Sequence, residues 1–287
     1  MISQEILGYF EIALAAILFG TIGIFVKAIN LCIEATVFYR TFLGGTFLLL
    51  FFLLQGSISS LIPQEKKFYL FSMGFSMAIT IYAYFSAIKT TSFAVAILLL
   101  YTAPVFVAVL SALFLREKIT KITLAAICLS ILGVLLIVNP YSLSIGSNYF
   151  TGIAFGLLSG FCYGLEAILS RYLRDSYSGF VQAVWLNFIS ALIFLPFAFQ
   201  VPFAAVRADF LHLILLGLIP TAISFSLYFN GLSKVKASRG IIVLSLEPIS
   251  GIAIAIAILG ESPSIFMLLG GAAIIASVIL VMRERNS

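Results

Sequence analysis

The sequence predicts an all-α membrane protein. Of its 287 residues, 62% are hydrophobic and only 9% are charged, and the mean hydropathy is +1.20. A soluble domain of this size needs far more polar surface to face water. The apolar residues also fall in runs of about 20, the length of a spanning helix, whereas a membrane barrel is built from short alternating strands.

Hydropathy predicts ten spans joined by short connections, which leave no room for a separate soluble domain. The longest interruptions, 56–67, 139–149 and 200–209, contain Pro, Ser or Gly and are expected to be loops. The expected spans, numbered 1 to 10 in chain order, are Leu7–Ala28, Thr36–Leu54, Phe68–Ile88, Phe93–Leu115, Thr120–Val138, Phe150–Leu173, Phe180–Phe199, Phe210–Leu232, Arg239–Leu259 and Ser264–Met282.

The basic residues predict the topology. The net charge is +5, but Lys and Arg occur in short clusters between apolar runs, which favours membrane orientation over a nucleic-acid partner. With the N-terminus placed in the cytoplasm, 12 of the 16 Lys and Arg residues lie on the cytoplasmic side. The four on the outer side are Lys27, Arg40, Lys89 and Arg207. We therefore expect both termini inside, in the cytoplasmic membrane of a prokaryote. The first apolar run lacks a basic leader and a cleavage site, so we expect a retained helix.

The chain repeats itself at a shift of 144 positions. Each half contains five spans. Because five is an odd number, the second half begins on the opposite side of the membrane and is inverted relative to the first. We expect a first repeat over 1–142 and a second over 143–287, arranged around a central cavity, as in alternating access. The shift aligns Gly20 with Gly164, Lys27 with Arg171, Tyr84 with Tyr228, Pro104 with Pro248, and Glu117 with Glu261.

Span 9 contains the strongest candidate site residue. Glu247, followed by Pro248, lies midway along the apolar run 238–261. A carboxylate at that depth costs ~2.5 kcal/mol or more, so it should face the bundle interior or a wet cavity. It would bind a substrate amine or carry a proton; the alternative is a structural acceptor beside the proline break. Pro104 and Pro248 are expected to bend spans 4 and 9 around the cavity.

Further polar residues form inward-facing sets in spans 3, 4, 6, 8 and 9. Glu166 shares a helix face with Ser159, Cys162, Tyr163 and Ser170, and either contacts substrate or bonds to a neighbouring helix. Single hydroxyl groups in membrane helices are mostly structural. As a set, however, the repeat-related hydroxyl groups are candidate substrate contacts: Thr80 and Ser224, Tyr84 and Tyr228, and Tyr101 and Ser245.

Other residues are assigned structural roles. Glu117 and Glu261 follow spans 4 and 9, and we expect each to cap the next helix. Arg40, at the outer end of span 2, is expected to be a snorkelling anchor. Gly20 and Gly164 are repeat-related small residues in spans 1 and 6.

Four short motifs carry a resemblance to a known family: Phe19-Gly20, Tyr39-Arg40-Thr41-Phe42, Ala103-Pro104-Val105 with Leu115-Arg116-Glu117, and Leu246-Glu247-Pro248-Ile249 with Leu259-Gly260-Glu261. In order, spacing and duplication they resemble the ten-helix EamA-type transporters of the drug/metabolite transporter superfamily, over nearly the whole chain. The resemblance implies a permease, often an exporter, of amino acids or other small organic or drug-like compounds. It also implies that helices 1, 3, 4, 6, 8 and 9 surround the cavity. Glu166 departs from the general family pattern.

The expected function is therefore secondary transport by alternating access, with proton coupling left open. The sequence contains no G-x-x-x-x-G-K-[ST] motif for a nucleotide. One alternative is a flippase for lipids or lipid-linked sugars. An intramembrane enzyme is less favoured, since it needs a nucleophile with a base, or clustered carboxylates for a metal. The expected partners are a small-molecule substrate and the bilayer, without cofactor, metal or nucleic acid; a homodimer is left open.

Overall fold

The computed structural model describes residues 4–63, 65–90, 96, 99–138, 149–259 and 264–283, and this part of the chain is helical without strands. The predicted all-α fold is confirmed for these residues. Five helical stretches are long and apolar enough to cross a membrane: Ile33–Leu54, Lys67–Ala87, Phe150–Leu173, Gly179–Ala198 and Phe210–Lys234. The apolar helices Ala103–Phe114, Lys121–Leu136 and Leu268–Arg283 are shorter, so the count of ten spans stays a prediction.

The described helices fall along the predicted spans, several of which are divided between two helices. The first half contains α1 (Gln4–Phe19), α2 (Ile22–Ala28), α3 (Ile33–Leu54), α4 (Lys67–Thr90), α5 (Ala103–Phe114) and α6 (Lys121–Val138). The second half contains α7 (Tyr149–Leu173), α8 (Gly179–Ala198), α9 (Phe203–Ala208), α10 (Phe210–Gly217), α11 (Ser224–Lys234), α12 (Ala237–Leu244), α13 (Leu246–Leu259) and α14 (Ile265–Arg283). A short 3-10 helix, Ile58–Leu61, and α9 occupy two of the predicted loops.

Span 1 is not the single helix that hydropathy predicts, because a turn at Gly20–Thr21 separates α1 from α2. A Cβ atom at Gly20 would lie 2.0 Å from the Ser250 Oγ atom and 2.7 Å from the Gly251 amide nitrogen, so α13 touches α1 through its backbone. The Thr21 hydroxyl donates to the Leu18 carbonyl at 2.6 Å, which competes with regular helical bonding. The prediction of one continuous helix over Leu7–Ala28 is therefore wrong.

The two repeat-related prolines begin helices instead of bending continuous ones. A turn at Tyr101–Thr102 precedes α5, and a turn at Ser245 precedes α13. Pro104 and Pro248 lie in the first turns of these helices, where a missing backbone N–H is tolerated. Spans 4 and 9 are thus interrupted at equivalent places in the two halves.

The chain between α10 and α11 forms a π-helical segment, Leu218–Ile223. The Thr221 hydroxyl donates to the Leu216 carbonyl at 2.8 Å, and the Ser224 hydroxyl donates to the Ile219 carbonyl at 3.0 Å, each five residues back. These hydroxyls follow the wider turn of the backbone. Such segments interrupt α-helices most often near functional sites.

The helix packing has a paired arrangement. In the interior, α4 packs on α7 and α1 packs on α11; α5 packs on α7, and α12 and α13 pack on α1. Two further pairs, α3 with α8 and α6 with α14, join equivalent elements of the two halves. The 144-residue shift converts α4 on α7 into α11 on α1 and α5 on α7 into α13 on α1, and it converts each of the last two pairs into itself. The largest cluster of buried apolar side chains lies among these helices.

Candidate functional site

Polar side chains from several helices meet in the interior around the Glu247 carboxylate. Glu247 lies in the first turn of α13 and keeps part of its surface accessible. Its carboxylate interacts electrostatically with the Arg40 guanidinium and with four tyrosine hydroxyls, that of Tyr101 among them. These six residues form what we call the central cluster: Arg40 of α3, Tyr84 of α4, Tyr101 before α5, Tyr163 of α7, Tyr228 of α11 and Glu247 of α13.

Several polar atoms of this region are buried without a hydrogen-bond partner among the described residues. They are Arg40 Nε, the hydroxyl of Tyr228 and Glu166 Oε2. Most buried polar atoms in proteins are hydrogen-bonded, because leaving one unpaired costs about 1–3 kcal/mol. Three unpaired atoms in one region therefore mark a place suited to binding a polar ligand.

Glu166 is fully buried on α7, beside the central cluster. The Thr80 hydroxyl of α4 donates to its Oε1 atom at 2.6 Å. One turn earlier on each helix, the Ser76 hydroxyl donates to the Cys162 carbonyl at 3.0 Å. Tyr163 and Tyr228 of the central cluster also interact electrostatically with Glu166, so the two carboxylates share neighbours.

The structure groups most of the predicted substrate contacts but not all. Tyr84, Tyr101, Tyr163 and Tyr228 are members of the central cluster, and Thr80 pairs with Glu166. Ser224 and Ser245 instead donate to carbonyls of their own segments, Ile219 at 3.0 Å and Ile241 at 3.4 Å. Both hydroxyls are therefore already hydrogen-bonded to backbone carbonyls of their own segments. A role in substrate binding stays a prediction for every member of the set.

Arg40 has a different position from the one that the sequence suggested. It is only 6% exposed and faces the interior, so it is not a snorkelling anchor. Sequence reasoning assigned it to the outer end of a span, yet its spacing carried a signal. Thr36, Val37 and Gly44 lie three or four residues away on the same helical face, and all are buried.

Two open spaces lie away from the central cluster. A crevice of only about 20 Å³ is bounded by α3, α4 and α8, with Glu34 among its lining residues. An apolar groove of about 290 Å³ is lined by Phe47, Leu48, Phe51, Phe180, Leu218, Ala222, Ile223, Ser226 and Leu227. The groove lies between the hydrophobic faces of α3, α8 and the π-helical segment. Neither space includes Glu166 or Glu247.

A second set of charged residues lies at the end of the bundle where α1 begins. Glu117, just after α5, accepts hydrogen bonds from the Ala237 amide at 3.1 Å and from the Ser238 hydroxyl at 3.3 Å. Its carboxylate also lies 3.8 Å from Arg171 of α7. Glu117 thus caps α12, and the prediction that it caps the next helix in the chain is wrong. Glu261, its counterpart in the repeat, lies outside the described residues.

The same end is tied by further ion pairs. Arg171 Nη1 donates to the carbonyls of Leu232 and Ser233 at the end of α11. Two more pairs join α1 to α11 and α12: Glu11 with Lys234 at 2.5 Å, and Glu5 with Arg239 at 3.3 Å. We call this set the end cluster: Glu5, Glu11, Glu117, Arg171, Lys234 and Arg239. It joins α1, α5, α7, α11 and α12.

The bundle consists of apolar helices around a buried polar centre, and ion pairs join the helices at one end. This arrangement is typical of a membrane transporter. Ionisable residues inside membrane helices commonly mark substrate or ion pathways. Within the described residues, no group of three or more His, Cys, Asp or Glu side chains could hold a metal ion. The class that the fold and the site define is therefore a transport protein.

Comparison with known proteins identifies the family. The EamA-like transporter family matches residues 6–139 and again 150–283, so the chain belongs to this family, with two copies of its domain. An uncharacterised transporter of Archaeoglobus fulgidus is 32% identical over 96% of this chain and 97% of its own length. The uncharacterised inner membrane transporter YicL of Salmonella typhimurium is 27% identical over 96% of this chain and 94% of its own.

A solved crystal structure supports the same fold. It superposes with a TM-score of 0.81 over 97% of this chain and 96% of the other, at 18% sequence identity. The resemblance found in the sequence motifs is thus confirmed by the family match. The chain is a transporter and not an enzyme, which removes the intramembrane-enzyme alternative.

Proposed function

We propose that this protein is a secondary transporter that moves a small organic metabolite by alternating access, with the central cluster as its substrate site. The observation that carries the proposal is the group of unpaired buried polar atoms, contributed by separate helices, around Glu247. Such atoms gain hydrogen bonds when a polar substrate enters, and that gain provides binding energy. Amino acids and similar metabolites are the proposed substrates, since they offer an amine to Glu247 and an acceptor to Arg40.

The proposed architecture has ten spans in two inverted halves. The family match occurs twice along the chain, over 6–139 and 150–283. The packing pairs support it, because α4 on α7 is related by the repeat to α11 on α1. Inverted repeats of this kind let one scaffold open toward either side around one fixed site.

The end cluster supports a state that is closed at one end. Its ion pairs join five helices at the end where α1 begins. The excess of Lys and Arg in the connections at this end favours the cytoplasmic side of the plasma membrane. We therefore propose that the structure represents a conformation closed to the cytoplasm, and that opening requires these contacts to separate.

The test is transport in proteoliposomes, with a radiolabelled amino-acid mixture as the probe. We expect exchange of the probe by the native protein and its loss in Glu247→Gln, which keeps the side-chain shape but removes the charge. Glu65→Gln is the matched control, since Glu65 is an exposed carboxylate whose only described side-chain contact is Ser176 at 3.5 Å. Equal exchange in native protein and Glu247→Gln would contradict the assignment of the site. Movement of a fluorescent lipid, without exchange of amino acids, would favour the flippase alternative.

A further inference from the structure

The two buried carboxylates of the interior have different surroundings. Glu247 keeps part of its surface accessible and lies within electrostatic range of the Arg40 guanidinium. Glu166 has no exposed surface, and its one described hydrogen-bond partner is the neutral hydroxyl of Thr80. An ionised carboxylate in such a place lacks the paired charge that normally makes burial tolerable. The interior thus provides one charged site and one site suited to a neutral acid.

The hydrogen bonds of Thr80 fit both protonation states of Glu166. The Thr80 Oγ1 atom lies 2.6 Å from Glu166 Oε1 and 3.0 Å from the Ser76 carbonyl, and each geometry is that of a hydrogen bond. A hydroxyl has one proton and can fully satisfy one of these two acceptors at a time. If Glu166 is ionised, Thr80 donates to it. If Glu166 is protonated, the carboxylic acid donates to Thr80, and Thr80 donates to the Ser76 carbonyl.

The groups that face Glu166 from each neighbouring helix are neutral. On α4 they are Ser76 and Thr80, and on α11 the nearest titratable group is Tyr228. On α7 itself, Cys162 and Tyr163 interact with it.

The other two helices that contact α7 add no neighbouring charge. Helix α5 has the sequence APVFVAVLSALF, without an ionisable side chain. The one ionisable residue of α12, Arg239, pairs with Glu5 in the end cluster. Within the described residues, no cation contacts Glu166.

We propose that Glu166 and Thr80 form the proton-binding site that couples transport to protons, while Glu247 stays charged and holds the substrate. This inference rests on the proposed function, because coupling has meaning only in a transporter. On binding, a proton forms an O–H bond at Glu166 Oε1, and the Thr80 hydroxyl proton turns to the Ser76 carbonyl; release reverses both steps. Protonation of Glu166 changes the electrostatic potential at the central cluster, because Tyr163 and Tyr228 interact with both carboxylates.

An infrared pH titration of the purified protein tests proton binding without any substrate. A protonated, buried carboxylic acid has a C=O stretching band that an ionised carboxylate lacks. We expect a titrating band of this kind in the native protein and in Glu247→Gln, and its loss in Glu166→Gln. We expect Thr80→Val to keep the band but move its frequency, because the acid loses its acceptor. The opposite pattern, with the band lost in Glu247→Gln and kept in Glu166→Gln, would overturn the assignment.

Transport in proteoliposomes tests the coupling, again with the radiolabelled amino-acid mixture. We expect the ratio of exchange with a pH gradient to exchange without one to fall to about one in Glu166→Gln, whatever the absolute rate of exchange. Loss of a residue required only for folding would lower both rates and leave that ratio unchanged. A gradient response that survives in Glu166→Gln contradicts the coupling role. Absence of exchange in every protein, native included, would count against the proposed substrate class, while the infrared titration still decides where the proton binds.

Discussion

The end cluster makes one prediction that can be worked through in numbers. Glu117→Ala removes the acceptor of the Ala237 amide and the Ser238 hydroxyl, and the partner of Arg171. The side chains of Glu117 and Arg171 are only 10% and 14% exposed, so water screens them poorly. If opening toward the cytoplasm separates these contacts, the substitution destabilises the closed state and leaves the open state nearly unchanged.

The expected magnitude follows from the bonds that are lost. Hydrogen bonds to a charged group contribute about 1.5–3 kcal/mol each, and the two bonds here, at 3.1 and 3.3 Å, belong at the lower end of that range. A loss of about 3 kcal/mol corresponds to roughly a 100-fold shift of the equilibrium toward the open state, at 1.4 kcal/mol for each factor of ten.

The assay is the accessibility of a thiol at the centre of the molecule. Serine replaces the three native cysteines, and Ser245→Cys provides a reporter that is 1% exposed in this structure. A membrane-impermeant maleimide, applied to inside-out vesicles, should label the reporter about 100-fold faster when Glu117→Ala is also present. Glu65→Ala, at an exposed carboxylate near the same end, should leave the rate unchanged. An unchanged rate in a folded Glu117→Ala protein would refute the reasoning.

Two further predictions concern stability and binding. Gly20→Val should abolish recovery of monodisperse protein in detergent size-exclusion chromatography, because a Cβ atom at this position would lie 2.0 Å from the Ser250 Oγ atom. Gly271→Ala is the control and should be neutral, because a Cβ atom there would have no neighbour within 4 Å. Tyr228→Phe should leave the melting temperature unchanged or higher, since a buried unpaired hydroxyl adds no stability; it should instead reduce the stabilisation by any ligand found in a thermal-shift screen of amino acids, polyamines and nucleobases. A drop in melting temperature without ligand would show that the hydroxyl is structural.

Hydropathy predicted the long helices well, because each is a single apolar run with polar ends. Helix α3 ends at Leu54 and α7 ends at Leu173, both as expected. The break after Phe19 could not be predicted in the same way, since its cause is the contact with α13, more than 200 residues later in the chain. The hydropathy pattern of a segment depends on the composition of that segment alone. It does not indicate which distant backbone will contact the helix in the folded protein.

The candidate site shows the same division between local and distant information. The spacing of polar residues on α7 correctly predicted that Glu166 faces the interior, because that face is set by the helical period. The partner of Glu117 was missed, since the Ala237 amide lies 120 residues away along the chain. A carboxylate after a helix suggests a cap, but the sequence alone cannot say which helix it will cap.

The close approach at Gly20 limits how this transporter can move. The Ser250 hydroxyl of α13 donates to the Ala16 carbonyl of α1 at 3.1 Å, and the two helices come close together here because residue 20 is a glycine. On α7, a Cβ atom at Gly160 would lie 2.7 Å from the Leu99 carbonyl oxygen, so this helix also has a close backbone approach to the first half of the chain. Helices in such close contact resist sliding past one another. We therefore expect α1 and α13 to move together, as a pair of helices drawn from opposite repeats.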